Sequence, residues 1–211
     1  MNIEKYNQFI SALNKEFKDD CIILILQLLD EGVCLREVYE DYLIPGLANY
    51  NCDDEFEEIC IWKEHTRTSI IRTILEATYP YLIKQKETPI GKTVVVACPE
   101  QEYHEIGAII ATNYFTMLGF DAKYIGANTP SEEIISAVRI MNPDFLALSI
   151  TNYYNIVVTK RLTQKLKNQF QDLKIIIGGL ATQNENTRKQ IEYDYLLLSY
   201  DDILKFKEEI K

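Results

Sequence analysis

The two histidines of the chain are its strongest candidates for ligand chemistry, because imidazole nitrogen binds transition metals and exchanges protons near neutral pH. His104 follows Glu102 by two positions, and His65 follows Glu64 directly. A carboxylate close to an imidazole can fix the orientation of the ring and make its free nitrogen a better ligand. Both histidines are therefore candidates for contact with a ligand.

His104 comes just after an apolar run, Thr93–Cys98, which is typical of a buried parallel strand. Beyond the polar segment 84–89, strand and helix patterns alternate, as in a doubly wound parallel sheet. We therefore predict an α/β domain over residues 89–211 with a five-stranded, flavodoxin-like or Rossmann-like parallel sheet. The predicted strands are Thr93–Cys98, Ala122–Ile125, Phe145–Ile150, Lys174–Ile177 and Tyr193–Leu198, and the helices Glu105–Leu118, Ser131–Met141, Ile156–Phe170, Asn184–Ile191 and Asp201–Ile210. Ligands of such sheets bind at the carboxyl ends of the strands, where His104 is expected.

Residues 1–88 show helical patterns and no strand alternation, so we predict an all-α helical bundle before the sheet. Asp53 and Asp54 are suited to cap the last of its helices, and Pro80 is expected to close or kink it. Pro45 is expected to kink the third helix or to begin a new segment. The four predicted helices are Ile3–Phe17, Cys21–Asp30, Leu35–Ala48 and Asp54–Tyr79.

Composition limits the classes of function. The chain has 211 residues, of which 47% are hydrophobic, and a formal net charge of −10. This charge argues against direct binding to nucleic acid, which requires a positive surface. Five scattered cysteines without a C-x-x-C pair favour small core residues in a reducing compartment over a disulfide framework or a zinc site. With no apolar span or leader pattern recognised, we predict a cytoplasmic protein without membrane contact.

Several common site motifs are missing from the chain. No G-x-G-x-x-G follows the first strand, and no G-x-x-x-x-G-K-[ST] occurs anywhere, which weakens the case for ordinary dinucleotide or triphosphate binding. The third predicted strand ends without the aspartate that a response-regulator receiver needs. His104-Glu105 begins like the helix of a zinc protease, but Ala108 stands where the second histidine would be.

Three short motifs together resemble those of the cobalamin-binding domain family. Glu102-x-His104-x-x-Gly107 resembles its D/E-x-H-x-x-G signature, Ser149-x-Thr151 its S-x-L or S-x-T element, and Gly178-Gly179 its later glycine pair. They occur in the order of the family and follow the first, third and fourth predicted strands. Taken singly, the histidine has an ordinary explanation as a loop residue, the hydroxyls as strand-end groups and the glycines as a turn.

The resemblance implies a role for each of these residues. In the family, the dimethylbenzimidazole base of the cofactor leaves cobalt and the motif histidine replaces it as lower axial ligand. That ligand would be His104, with Glu102 fixing its tautomer. Gly107 would allow the corrin or its displaced tail to approach the backbone. Ser149 and Thr151 would hydrogen-bond the buried tail, while Gly178 and Gly179 would leave room for it.

The helical half resembles the module that precedes this domain in light-sensing cobalamin regulators. The resemblance rests on two segments, Glu37 to Leu47 and Glu58 to His65. It implies that residues 1–88 form a cap over the upper face of the cofactor, with Glu64 and His65 near it. In those regulators a tryptophan stands ten residues before the Glu-His pair, where this chain has Asp54; Trp62 could cover cobalt instead, or be a core or interface residue beside a surface histidine.

The resemblance leaves three functions open. The first is a cobalamin-binding sensory module, a photoreceptor or a sensor of cofactor supply, which holds adenosylcobalamin or methylcobalamin between the cap and the sheet and signals through a protein partner or its own oligomer. The second is a corrinoid methyl carrier, in which case the chain would be a subunit of a methyltransferase system rather than an enzyme by itself. The third is an interaction domain that has lost its corrinoid.

Overall fold

A computed structural model describes residues 2–48, 50 and 57–210 of the chain. For residues 57–59 it describes the backbone only. The chain divides into two compact units, Met1–Gln85 and Lys86–Lys211, close to the predicted boundary after residue 88. In the part of the chain that is described, no helix is long and apolar enough to cross a membrane.

The first unit is helical. Its elements are α1 (Ile3–Asn14), α2 (Lys18–Asp30), α3 (Leu35–Val38), a π-helical turn (Tyr39–Leu43), α4 (Ile44–Ala48), α5 (Glu57–Ala77) and α6 (Tyr79–Gln85). Its interior contains aliphatic and aromatic side chains from several of these helices, among them Phe9, Leu13, Ile25, Tyr39, Leu43, Ile71 and Ile74. Arg67 of α5 is also buried, and its guanidinium donates hydrogen bonds to the Gly46 carbonyl and, at 2.8 Å, to Asn14 Oδ1. The predicted capping residues Asp53 and Asp54 lie outside the described residues.

Pro45 and Pro80, the prolines of the helical unit, affect their helices differently. Pro45 cannot donate a hydrogen bond to the preceding turn, and its ring crowds the carbonyl four residues earlier. The helix widens before it, so that the Ile44 amide bonds the carbonyl of Tyr39, five residues back. Pro80 lies in the first turn of α6, where a missing amide costs little. The prediction of four helices was therefore wrong, since a further helix follows Ala77 and extends into the polar segment 84–89.

The second unit is an α/β fold. Its strands are β1 (Thr93–Ala97), β2 (Asp121–Tyr124), β3 (Phe145–Ser149), β4 (Lys174–Gly178) and β5 (Tyr195–Leu196). Its helices are α7 (Ile106–Met117), α8 (Ser131–Met141), α9 (Ile156–Gln169), α10 (Glu185–Arg188) and α11 (Tyr200–Glu209), with short 3₁₀ turns at Tyr153–Asn155 and Leu180–Gln183. Four of the five predicted strands agree with the observed ones to within about a residue. The fifth was predicted too long, and the predicted helix from Asn184 is one short turn.

All five strands are parallel, in the order β2-β1-β3-β4-β5. This order confirms the predicted flavodoxin-like sheet. The chain leaves β1 toward β2 on one side and reaches β3 on the other, so the direction of winding reverses between β1 and β3. In such sheets a crevice opens at this reversal, outside the carboxyl ends of the two strands, and it is the usual ligand site.

Candidate functional site

The loops after β1 and β3 meet at the carboxylate of Glu102, which is fully buried. Its Oε1 accepts from the backbone amide of His104 at 3.1 Å and contacts the His104 ring Nδ1 at 2.6 Å. Its Oε2 accepts from the amides of Thr151 and Asn152, at 2.9 and 2.8 Å, and from the Asn155 side-chain amide at 3.0 Å. One carboxylate thus joins two loops about fifty residues apart in sequence, at the reversal point of the sheet.

These hydrogen bonds keep Glu102 ionised despite its burial. Removal from water by itself raises the pKa of a carboxyl group, but the donors from Asn152, His104 and Asn155 outweigh that effect and hold the pKa of Glu102 below its usual value. An ionised carboxylate only accepts hydrogen bonds. The proton between the two side chains therefore belongs to Nδ1 of His104.

The imidazole of His104 presents its other nitrogen outward. The side chain is 55% exposed, and Nε2 has no hydrogen-bond partner among the described residues. With Nδ1 protonated, Nε2 carries the lone pair of a neutral imidazole. A carboxylate behind the ring makes that lone pair more basic. The arrangement offers one oriented nitrogen ligand to a group placed at the edge of the sheet.

The loop that carries His104 is held from a third side by the segment after β2. The Gln101 amide donates to Asn128 Oδ1 at 2.8 Å, and the Asn128 amide donates to the Glu102 carbonyl at 2.8 Å. Gln101 and Asn128 both have positive φ, 70° and 47°, which is costly for residues with side chains. The surrounding hydrogen bonds maintain this geometry, so the histidine stands on a fixed turn.

A buried cysteine lies directly beneath the same loop. Cys98 is fully buried, and its Sγ lies 3.8 Å from the carbonyl oxygen of His104 and 3.9 Å from the Tyr124 hydroxyl. Burial raises the pKa of the Cys98 thiol to about 12, so sulfur stays protonated at neutral pH. The Tyr124 hydroxyl in turn donates to Glu105 Oε2 at 3.0 Å. This group supports the loop from below and supplies no thiolate.

The structure brings Gly107 next to Ser149. A β-carbon placed on Gly107 would lie 3.7 Å from Ser149 Oγ and would meet no other atom outside its own helix within 4 Å. The hydroxyls of Ser149 and Thr151 have no hydrogen-bond partner among the described residues. Two hydroxyls that are unpartnered among the described residues therefore lie near the turn that carries His104.

The glycine pair after β4 is explained by the backbone instead. A β-carbon on Gly178 would lie 2.7 Å from the Leu197 carbonyl oxygen. Gly179 has φ +95°, and its β-carbon would lie 2.4 Å from the carbonyl oxygen of Ile150. Both positions need glycine because neighbouring strands pass close by. Room for a cofactor tail is not required to account for them, and that role remains a prediction.

Exposed apolar side chains surround the carboxyl edge of the sheet. They come from the segments that follow β1, β3, β4 and β5, including the first turn of α9. They are Tyr103 (69% exposed), Tyr153 (50%), Tyr154 (88%), Val157 (55%), Leu180 (54%) and Leu198 (44%). Large apolar groups in this setting are suited to contact an apolar ligand surface.

The three candidate residues of the helical unit lie on α5. Trp62 is 48% exposed, and Glu64 and His65 are exposed as well. Trp62 and His65 are separated by three positions, so they share a face of the helix. Trp62 is therefore not part of the core of the helical unit, and that alternative was wrong.

The prediction that the cysteines are small core residues outside any disulfide is corrected at one position. Cys60 of α5 is disulfide-bonded, while Cys21, Cys34 and Cys98 are free.

Sequence reasoning missed Asn155, whose side chain contacts Glu102 from 53 positions away. It also missed the backbone amides of Thr151 and Asn152 as donors to that carboxylate. No sequence motif marks them, and only the closeness of two strand ends places them together. Within the described residues, no group of three or more histidine, cysteine or acidic side chains is arranged to hold a metal ion.

The chain is similar in sequence to several known proteins. The chain is 25% identical over 169 residues to the HTH-type transcriptional repressor CarA of Myxococcus xanthus, covering 75% of this chain and 54% of CarA. It therefore spans about half the length of that relative. It is 24% identical over 165 residues to trimethylamine corrinoid protein 2 of Methanosarcina acetivorans, covering 75% of each.

Among solved structures, the monomethylamine corrinoid protein of Methanosarcina barkeri superposes with a TM-score of 0.83 over the full length of both chains, at 19% identity. That likeness extends the fold to the helical half. The family model described as the B12 binding domain matches residues 92–203, which include every candidate residue of the α/β unit. The chain belongs to the B12-binding domain family.

Proposed function

We propose that the protein binds cobalamin with its dimethylbenzimidazole base displaced and Nε2 of His104 as the lower axial ligand of cobalt. The observation that carries the proposal is the Glu102–His104 pair, 2.6 Å apart, with Nε2 exposed and unpartnered among the described residues. A single imidazole suits cobalt in a corrin, because the macrocycle would itself supply the equatorial nitrogen ligands and leave the protein one axial position. Cobalt accepts imidazole nitrogen readily.

The residues around His104 also fit the rest of such a cofactor. The unpartnered hydroxyls of Ser149 and Thr151 can hydrogen-bond a polar tail, and Gly107 leaves the space beside Ser149 open. The exposed side chains of Tyr103 and Tyr154 provide apolar surface for the lower face of a corrin. When bound, the cofactor supplies a cobalt–carbon bond as the reactive group. The protein supplies the ligand nitrogen, the orientation and the exclusion of water.

For the biological role we propose a sensory or regulatory module that holds cobalamin between its helical unit and its α/β unit. Trp62, Glu64 and His65 present an exposed, partly polar face of α5, which is suited to lie over an upper axial group. The similarity to the repressor CarA supports this role. The strongly negative charge argues against direct DNA contact, so the proposed signal passes to a protein partner or to the protein's own oligomer. We propose a cytoplasmic location.

A corrinoid methyl carrier is the second candidate. The observation in its favour is the match to a corrinoid protein over three quarters of both chains. A carrier would present cobalt to separate methyltransferases, and it needs an accessible upper face. The two roles therefore differ in what the protein does with the upper ligand: a sensor changes state when that ligand is lost, and a carrier exchanges it.

The experiment mixes the purified protein in the dark with adenosylcobalamin or methylcobalamin. Each sample is desalted, and its absorbance spectrum and its size by gel filtration are recorded before and after green illumination. Selective retention of the adenosyl form, with a size change after light, is the result expected for the sensor. Retention of both forms without a size change would favour the carrier. A colourless protein in both samples would overturn cobalamin binding and leave an interaction domain.

A further inference from the structure

The hydrogen bonds of Glu102 include one side-chain donor that belongs to none of the recognised motifs. Asn155 is only 2% exposed, and its Nδ2 lies 3.0 Å from Glu102 Oε2 and 3.2 Å from the carbonyl oxygen of Gln101. Both neighbours are pure acceptors, so the amide NH₂ group must face them and the carbonyl must face away. Asn155 therefore bridges the loop after β3 to two consecutive residues of the loop that carries His104.

Asn155 is itself held by the fold. Its backbone amide donates to the Asn152 carbonyl at 3.1 Å, and its carbonyl accepts from the Thr159 hydroxyl at 2.8 Å. Asn155 thus stands at the junction between a 3₁₀ turn and α9, with little freedom of its own. A buried side chain fixed in this way can fix its partner in turn. The direction of support is from α9 through Asn155 to Glu102, and from Glu102 to the imidazole.

Ser149, the hydroxyl residue of the motif, does not donate to Glu102. Every hydrogen bond recorded for Oε2 comes from residues 151, 152 and 155. Two of these donors are backbone amides, which any residue except proline would supply at those positions. Among the described residues, the side chain of Asn155 is the one donor to Oε2 whose presence depends on a particular side chain.

We propose that Asn155 is a positioning residue for the cobalt ligand: its amide fixes the Glu102 carboxylate in the orientation that keeps the His104 proton on Nδ1 and Nε2 free to bind. This inference rests on the proposed function of His104. It goes beyond it in assigning the control of the ligand tautomer to a residue of the opposite strand loop. Asn155 itself touches neither cobalt nor corrin in this proposal.

The test uses the protein without cofactor first, so that it does not depend on cobalamin binding. Proton–nitrogen correlation spectra of the imidazole rings, recorded in alkaline buffer where the ring is neutral, report which nitrogen carries the proton. The chain has only two histidines, and a His65→Gln variant assigns the signals. The variant Asn155→Leu has the same number of side-chain heavy atoms as the parent and lacks the donor, and Asn155→Ala is the second variant.

Asn152→Ala is the matched control. Asn152 lies in the same turn, and its side chain accepts from the Tyr154 amide without contacting Glu102, to which only its backbone donates. In the parent and in Asn152→Ala we expect the Nδ1-protonated form of His104 to dominate. In both Asn155 variants we expect the ratio of the two tautomers to shift by about 10-fold toward Nε2 protonation, a change comparable to the smallest losses of metal affinity that follow removal of a partner of a ligating histidine.

The same variants are then loaded with cobalamin, and the fraction with a histidine-ligated spectrum is compared. An equal tautomer ratio in Asn155→Leu, Asn155→Ala and the parent would overturn the role of Asn155, whether or not cobalamin binds. If the tautomer ratio shifted in the Asn155 variants but neither the parent nor any variant bound cobalamin, the role of Asn155 would stand and the proposed function would be refuted. Four of the five hydrogen bonds to Glu102 remain in each variant, so we expect both to fold.

Discussion

Gly107 and Ser149 face one another across the carboxyl ends of β1 and β3, and a β-carbon on Gly107 would make an ordinary contact, 3.7 Å from Ser149 Oγ. Nothing in the backbone therefore demands glycine at this position. Gly107 lies in the first turn of α7, where alanine is a better helix former by up to about 1 kcal/mol. The proposed function assigns this space to the cofactor, which predicts that a side chain here interferes with binding and not with folding.

This geometry predicts a separation of stability from binding. Gly107→Ala should unfold at the same temperature as the parent or slightly above it, yet bind cobalamin about 10-fold or more weakly. Gly179→Ala should instead lose stability. A β-carbon at φ +95° and 2.4 Å from the Ile150 carbonyl oxygen destabilises the fold by about 2–4 kcal/mol. Thermal unfolding of the cofactor-free proteins and cobalamin titration measure the two effects. Equal binding by Gly107→Ala and the parent would remove the argument for a tail beside Ser149.

Trp62 is predicted to contribute to binding more than to stability. Its side chain is 48% exposed in the helical unit, so truncation removes little packing there. Trp62→Ala should lower the affinity for adenosylcobalamin about 10-fold and change the rate of its photolysis, because a large aromatic side chain over the upper ligand would be lost. The control is Ile61→Ala, one position earlier and 58% exposed, which should alter neither property. If Trp62→Ala and Ile61→Ala bound adenosylcobalamin with the same affinity, the proposed position of Trp62 over the upper ligand would be refuted.

The pH dependence of stability is predicted from Asp144, at the amino ends of β1 and β3. Burial raises the pKa of Asp144, but hydrogen bonds from the backbone and hydroxyl of Thr93 and from Lys92 outweigh it and hold the pKa below its usual value. A lowered pKa means that the ionised form stabilises the fold above the ordinary aspartate pKa, about 3.9, and that this contribution is lost as the pH falls through the folded-state value.

Asp144→Asn should therefore be less stable than the parent by about 1–2 kcal/mol at neutral pH, with a difference that narrows below about pH 4. Urea unfolding of the cofactor-free proteins at several pH values measures it. Asp121→Asn serves as control, since Asp121 is 60% exposed and pairs with Lys123 at the surface, where such pairs contribute less than about 1 kcal/mol. If the difference in the free energy of unfolding between the parent and Asp144→Asn stayed constant as the pH fell below about 4, the lowered pKa of Asp144 would be contradicted.

The fold could be predicted from the sequence largely because β1, β3 and β4 are short apolar runs buried on both faces, and because helices such as α8 carry clear periodicity. β5 was predicted too long because its apolar pattern continues beyond the two residues that pair with β4 in a regular ladder. α6 was missed because Pro80 was expected to close or kink the preceding helix, although it stands in the first turn of a new one.

The site could be predicted only where its residues lie close together in a short sequence motif. Glu102 and His104 are two positions apart, so their pairing is visible in the sequence. Asn155 is 53 positions from Glu102, and nothing local to it indicates the contact. The glycine pair at 178–179 shows the reverse problem: its motif suggested a ligand, while the approach of the Leu197 and Ile150 carbonyls accounts for both residues.

Ligation of cobalt by His104 is tested most directly by the absorbance spectra of cobalamin bound to three proteins: the parent, His104→Ala and His65→Ala. We expect a base-off, histidine-ligated spectrum for the parent and for His65→Ala. For His104→Ala we expect loss of the histidine-ligated spectrum and an affinity at least about 10- to 100-fold lower. A His104→Ala protein that kept the spectrum and affinity of the parent would show that His104 is not the cobalt ligand.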